Sequence, residues 1–437
     1  MAYIPAQVAR LGNPRNLMPV ENFESVHSRH SNLDGEKVQM SRTIRILLAA
    51  ALAATTSIGA TAATAAAKPQ QSPQPATSTT PRAIAGQYLV TLKWGSDIQG
   101  LLDKIGIRPL FTYGTAVFGF AARLTDLQVR LLRVAPEVEA VENDAEVEVV
   151  VPPGDPQTGE PRAVDSWGLD RINQRTLPLD GNYSPNHDGS PVTAYILDTG
   201  IQHNHPDFGG RASFGYDAMN DGRRGEDCNG HGTHVAGTVG GKVYGVAKNV
   251  NLVSVRVLGC DSRGAWSGIV AGFDWVAANA KKPAVLNASL GGTPGVSQVD
   301  TAANSLADKG VFVAVAGGND TADACNYSPA RAARAFTIGA TAKDDSYATY
   351  SNRGQCVQLL APGTDIKSTW IGTRVNTISG TSMATPHVTG VAALYKHANG
   401  DHAQGDIMNW MWQNATQDRI GQVPASTPNY LLNLGGL

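Results

Sequence analysis

The chain has 437 residues, of which 42% are hydrophobic and 16% charged, with a formal net charge of -2. This composition supports a large buried core and more than one domain, and it excludes a chain that is disordered throughout. So small a net charge supplies no global attraction to nucleic acid or to an anionic membrane, and neither is expected as a partner.

The first legible element is Met40-Ser41-Arg42-Thr43-Ile44-Arg45, followed by an apolar run over 46–54 and the small residues Ala65-Ala66-Ala67. A basic start, a short apolar centre and a small-residue exit predict a secretory signal peptide over 40–67, with an apolar centre too short to remain as an anchor. Residues 1–39 do not belong ahead of such a signal, so Met40 is the expected start and 1–39 an extension assigned upstream in error. From Lys68 the chain is rich in Pro, Gln, Ser and Thr and reads as a linker over 68–85.

A small α+β unit is expected over 86–150. Residues 88–92 alternate like a strand, 98–105 have helical spacing, 116–122 are strand-like, 125–135 form a second helix and 138–142 a further strand. Pro152-Pro153-Gly154 and Pro156 then disfavour regular structure and predict an extended, accessible linker over 151–164.

The remaining 165–437 read as a second, larger domain. Apolar runs at 192–197, 252–258, 284–288, 311–316, 336–340 and 357–361 alternate with helical stretches. This pattern predicts an α/β fold, a parallel sheet with helices on both faces, whose functional groups gather at strand C-termini.

Three short blocks carry chemistry. Asp198 follows the apolar run 192–197; His231 lies in Asn229-Gly230-His231-Gly232-Thr233-His234; Ser382 lies in Gly380-Thr381-Ser382-Met383-Ala384, just ahead of a helical stretch over 388–394. A hydroxyl at a helix N-terminus sits beside unpaired backbone NH groups that can stabilise an oxyanion. Serine is a weak nucleophile, so it needs an imidazole to accept its proton and a carboxylate to orient that imidazole. The block around Ser382 lacks the glycine two residues later that a G-x-S-x-G elbow requires. Cys228, Cys260, Cys325 and Cys356 all fall in the larger domain, and export would bring them into an oxidising compartment. Three pairings are open; zinc is not expected, because no C-x-x-C pair occurs.

With these blocks in this order, the chain from about Trp167 onward resembles the subtilisin superfamily of serine proteases. It is similar in particular to the aqualysin-like members of the proteinase K branch. The resemblance implies a subtilisin-like α/β fold, with Asp198, His231 and Ser382 as the catalytic set and Asn319 as the side-chain oxyanion donor. His234 would then be a packing residue.

The same resemblance assigns substrate binding to Gly264, Ala265 and Trp266 on one edge segment and to Ser289, Leu290 and Gly291 on a second. Ala316, Gly317 and Gly318 complete the primary pocket. These walls carry no charge, so apolar or aromatic residues are expected before the scissile bond. It pairs Cys228 with Cys260 and Cys325 with Cys356. It also implies structural calcium (Ca2+) at Asp170, Asn173, Gln174, Asp180 and Asn182, with Asn173 in place of the usual carboxylate. At another family calcium site the carboxylate position is Gln358, which argues against an ion there; Asp217, Asp221 and Asp227 form a further acidic loop.

The small unit resembles an inhibitory propeptide that also assists folding. The implied protein is a secreted, monomeric, self-processing endopeptidase acting on polypeptides, without a membrane anchor. Two other classes are weighed: a binding or inhibitory protein whose N-terminal unit stays docked without catalysis, and an esterase of unrelated fold.

Overall fold

The computed structural model describes residues 82–149 and 166–437. The upstream extension, the signal segment, the linker up to residue 81 and all of 151–164 lie outside the described residues.

The smaller domain contains β1 (Ala83–Leu92), α1 (Ile98–Ile105), β2 (Pro109–Tyr113), β3 (Gly119–Arg123), α2 (Asp126–Val134) and β4 (Val138–Glu148). Helix α1 starts where the Asp97 side chain accepts the Gly100 NH and stops at Gly106, whose φ of 69° suits a residue without Cβ. Thr125 and Gln128 form a capping box at the start of α2. The four strands form an antiparallel sheet in the order β2-β3-β1-β4. Strand periodicity divides their side chains between two faces. Val90, Leu92, Phe120 and Ala122 pack under the two helices, while Leu89, Ala121 and Val147 join a core cluster of the larger domain.

Strand β2 was absent from the sequence expectation, and β4 runs six residues beyond it. Their outward positions are polar or exposed, which blurred the apolar alternation. The first strand also begins at Ala83, inside the expected linker.

The larger domain opens with α3 (Trp167–Asn173) and continues through β5 (Thr193–Asp198), β6 (Ala212–Asp217), α4 (His231–Gly240), β7 (Asn251–Arg256), β8 (Arg263–Ala265), α5 (Trp266–Asn279) and β9 (Ala284–Ala288). It then adds α6 (Ser297–Asp308), β10 (Phe312–Ala316), β11 (Phe336–Thr341), β12 (Leu359–Pro362), β13 (Ile366–Trp370) and β14 (Arg374–Ile378). The last elements are α7 (Thr381–Asn399), α8 (Gln404–Asn414), β15 (Thr416–Gln417) and β16 (Tyr430–Leu431).

Nine strands form one sheet in the order β15-β16-β12-β11-β10-β9-β5-β7-β6, parallel throughout except for the β15–β16 pair. All six expected runs are strands of it. Edge strand β6 was missed, because its exposed Ser213 and Phe214 break the apolar run.

The sheet is buried on both faces. Ala194 and Ile196 point into the cluster holding α4, α7 and α8, while Tyr195 and Leu197 point into the one holding α5 and α6. Helix α7 is buried from Thr381 to Lys396, which explains why its apolar residues are not confined to one face. Two disulfides, Cys228–Cys260 and Cys325–Cys356, have the expected pairing and span sequence separations of 32 and 31.

Replacing both Cys325 and Cys356 by serine frees a chain segment of this length. The loss expected is about 3 to 4 kcal/mol, read as a lower thermal midpoint against the intact protein.

Candidate active site

Because the strands from β6 to β12 are parallel, their C-terminal ends share one edge of the sheet, and the chemistry gathers there. Asp198 is the last residue of β5, and His231 is the first residue of α4. Nδ1 of His231 lies 2.7 Å from Oδ1 of Asp198, and both side chains are fully buried. The Thr199 NH donates to the same carboxylate oxygen at 2.7 Å. Both contacts fall on Oδ1; Oδ2 is buried without a hydrogen-bond partner among the described residues. An acceptor oxygen at Nδ1 favours the tautomer that carries the ring proton there and leaves Nε2 as the acceptor atom. Nε2 makes no hydrogen bond among the described residues.

Ser382 is the second residue of α7, so its NH is one of the helix's orphan donors. The helix start is tied to both flanking strands. The Ser289 hydroxyl donates to the Ser382 carbonyl at 2.8 Å, and Asn287 of β9 holds that hydroxyl at 2.8 Å and the Thr389 hydroxyl at 2.9 Å. On the other side, Oδ1 of Asn319 accepts the NH and hydroxyl of Thr381, each at 2.9 Å. This anchoring turns the Asn319 amide nitrogen toward Gly380 and the Ser382 NH: a Cβ built on Gly380 would lie 3.4 Å from Nδ2 and 3.6 Å from that NH. The Ser382 hydroxyl donates to the Ser289 carbonyl at 3.1 Å, not to His231.

His234 packs as expected. Its Nε2 meets the carbonyls of Ile366 and Asn376 at 3.0 and 3.2 Å, and burial pushes its pKa down to about 3, which keeps it neutral.

The two segments expected to wall the primary pocket meet the start of α7. Ser289, Leu290 and Gly291 follow β9; next to them Gly292 pairs with Ser328 through two backbone hydrogen bonds of 3.0 Å. Ala316 ends β10, and the Gly318 NH donates to the Thr381 hydroxyl at 3.1 Å. Gly318 has φ 102°, and a Cβ there would lie 2.2 Å from the Asn352 amide, so glycine alone fits.

The outer edge, β8, carries Gly264 and Ala265 and pairs antiparallel with Glu146–Glu148 of β4; the Val149 NH then reaches the Ser262 carbonyl at 3.1 Å. Trp266 begins α5 and is fully buried in the cluster that joins the two domains through Val147 and Val149.

The small domain is held by carboxylates at helix starts. Neither α5 nor α6 has a side-chain cap of its own. Asp144 accepts the Ser267 NH at 3.2 Å, and Glu142 accepts the NH groups of Ser297 and Gln298 at 2.9 and 3.2 Å. In return, Asp274 of α5 accepts the NH groups of Gly114, Thr115 and Ala116 at 3.2, 2.7 and 2.6 Å. Sequence reading missed these three contacts. The signal was the lack of Ser, Thr, Asp or Asn at the caps Ala265 and Val296.

Around the expected calcium ligands, Asp170 accepts the Gly181 NH at 2.8 Å and Asp180 accepts the Asn182 NH at 2.9 Å. The Gln174 amide donates to the carbonyls of Thr176 and Pro178, and its oxygen accepts the Asp180 NH at 3.1 Å. Asn173 closes α3. Oδ1 of Asp170 is buried with no partner among the described residues, and burial raises its carboxyl above the ordinary range. No group of three or more His, Cys, Asp or Glu able to hold a metal occurs among the described residues, so a cation in this loop must rely on amide and carbonyl oxygens as well.

In the acidic loop at Asp217, Asp221 and Asp227 the carboxylates are engaged by protein groups. The Arg256 guanidinium lies 2.6 and 2.8 Å from the two oxygens of Asp221 and 3.1 Å from Asp217, and it pulls the Asp221 carboxyl down to about 2. Asp227 points elsewhere, onto the turn before α4. At Gln358 the side-chain oxygen accepts the Thr337 NH at 3.0 Å and serves the sheet.

Comparison with known proteins agrees with this geometry. The Subtilase family model matches residues 189–430, and the Peptidase inhibitor I9 model matches 65–149. The chain is 47% identical over 333 residues to an alkaline serine exoprotease A of Vibrio alginolyticus, covering 76% of this chain and 61% of that one. It is 43% identical over 379 residues to an extracellular serine proteinase of Thermus sp. (strain Rt41A), covering 80% and 90%. Proteinase T of Parengyodontium album is 48% identical over 275 residues, covering 62% and 92%. A crystal structure of a cold-adapted subtilisin-like serine proteinase superposes with a TM-score of 0.60 at 50% identity, covering 62% of this chain and 98% of the other. The chain is therefore a member of the subtilase family of serine proteases, built as a protease domain preceded by an I9 inhibitor domain.

Proposed function

We propose that this chain is a secreted, monomeric, self-processing endopeptidase that cleaves polypeptides through an acyl-enzyme on Ser382. The observation that carries this reading is the buried pair of Asp198 and His231 beside a serine at the start of α7. The Ser382 oxygen attacks the scissile carbonyl while Nε2 of His231 takes its proton, and Asp198 stabilises the imidazolium. The Ser382 NH and the Asn319 amide receive the oxyanion. His231 then returns the proton to the leaving amine, and water repeats the sequence to free the acid.

Uncharged walls at Ser289–Gly291 and Ala316–Gly318 favour apolar or aromatic residues before the cleaved bond. The docking of β4 on β8 supports a substrate that binds as an added strand. It also supports cleavage of the chain's own 151–164 linker, shortly after Val149. The signal segment at 40–67, with Met40 as the start, belongs to the same reading. Among the described residues no helix is long and apolar enough to cross a membrane.

A non-catalytic inhibitory protein would not need this buried pair. An unrelated esterase would not have this sheet order.

Calcium fits the α3 loop as a structural ion. Asp170, Asp180, Gln174 and the carbonyls it now engages would supply oxygens, with Asn173 and Asn182 completing the set. A bound ion would neutralise the orphan oxygen of Asp170 and brace the loop against α3.

Three outcomes are expected. In mass spectra of secreted material, the wild-type chain loses its N-terminal domain and Ser382→Ala keeps it covalently attached; a Ser382→Ala chain that still processes itself when purified would overturn the catalytic assignment. Full-length Glu142→Gln/Asp144→Asn loses two helix caps of about 1 kcal/mol or more each, so progress curves should show inhibition relieved roughly 10- to 100-fold sooner after self-cleavage. Chelation should lower the thermal midpoint of the wild type but not of Asp170→Asn, and an unchanged wild-type midpoint would count against calcium.

A further inference from the structure

The turn that carries His231 is organised by a carboxylate outside the catalytic set. Asp227 is buried, and its two oxygens accept five hydrogen bonds and no cation. Oδ1 takes the NH groups of Asn229 and Gly230 at 2.9 and 3.0 Å and the Thr199 hydroxyl at 2.9 Å. Oδ2 takes the NH and the hydroxyl of Thr233 at 2.9 and 2.6 Å. All of these donors except Thr199 belong to the start of α4 and the turn before it, whose cap residue, Gly230, has φ 116° and no side chain to offer. Asp227 reaches forward and does the capping instead.

Thr199 closes the circuit. Its hydroxyl donates to Asp227 and accepts the Gly232 NH at 2.9 Å, while its own NH donates to Asp198 at 2.7 Å. A ring of hydrogen bonds thus runs from Asp198 through Thr199 and Asp227 to the backbone around His231, and back to Asp198 through the imidazole. The segments it joins are in backbone contact: a Cβ on Gly232 would lie 2.1 Å from the Gly200 carbonyl oxygen, and one on Gly200 would lie 2.7 Å from the Gly225 carbonyl oxygen. Among the described residues, neither side chain hydrogen-bonds to the imidazole or to the segments 289–291 and 316–318. What they control is the placement of the strand end that bears Asp198 relative to the helix end that bears His231.

We propose that Asp227 and Thr199 are positioning residues for the Asp198–His231 pair, so that breaking their ring lowers turnover while leaving substrate binding intact. The proposal rests on the catalytic reading of Asp198, His231 and Ser382. A misplacement on the order of 1 Å can cost about 100-fold in rate, and it acts on the chemical step.

The test compares Thr199→Val, Thr199→Ser and Asp227→Asn in the full chain, with Ser382→Ala alongside, by steady-state kinetics on a peptide substrate and by active-site titration. Valine matches threonine in shape and removes only the hydroxyl. Thr199→Val is expected to lose about 10-fold or more in kcat, and Asp227→Asn about 100-fold, with KM within about twofold and titratable sites unchanged. Thr199→Ser, which keeps the hydroxyl, should return kcat to within about threefold of the parent. If Asp227→Asn does not fold, the valine and serine variants decide alone. The proposal is overturned if Thr199→Val keeps its kcat, if KM rises as kcat falls, or if serine fails to rescue. Should Ser382→Ala remain active, the catalytic reading itself fails; an inactive Ser382→Ala beside an unaffected Thr199→Val sinks only the positioning role.

Discussion

A carboxylate and an imidazole 2.7 Å apart, both removed from water, are the constraint around which the larger domain is arranged. Neither group is stable there alone, because a buried charge needs compensating donors and a buried imidazole needs its tautomer fixed. The parallel sheet provides the common edge at which a strand end and two helix starts converge. Ser289, Asn287 and Asn319 then hold the beginning of α7 to strands on either side, so the position of Ser382 is set by the sheet and not by a free loop.

Much of this was legible in the sequence, for physical reasons. Strands buried on both faces are written as unbroken apolar runs, and the runs ending at Asp198 and Ala316 are strands that stop where expected. Edge elements were not legible: β6 and β2 face solvent on one side, and residues such as Phe214 obscure the period. At the site, Asp198, His231, Ser382 and Asn319 stood out because their blocks are distinctive. Asp227 was read as part of an acidic loop, because composition reveals a charge but not what the charge faces. Asp217 and Asp221 were grouped with it for the same reason, and their partner Arg256 lies 35 residues or more along the chain.

The inhibitor domain is recognised by parts the protease leaves unfinished. Helices α5 and α6 begin without caps of their own, and Glu142 and Asp144 of the neighbouring domain supply them. A shared apolar cluster adds affinity, but the capping contacts add register, since each carboxylate fits one helix start. The same logic operates within the protease at α4, where Asp227 serves a helix whose cap is a glycine. Three helix beginnings near the cleft therefore depend on carboxylates that are not their own cap residues.

Without β4 beside it, β8 would be a bare sheet margin, and such margins invite self-association of neighbouring molecules. Its brevity answers the hazard: at three residues, with charged Arg263 at one end and the turn into α5 at the other, it can grip a short guest peptide. It offers too little ladder to seed stacking of one molecule upon another.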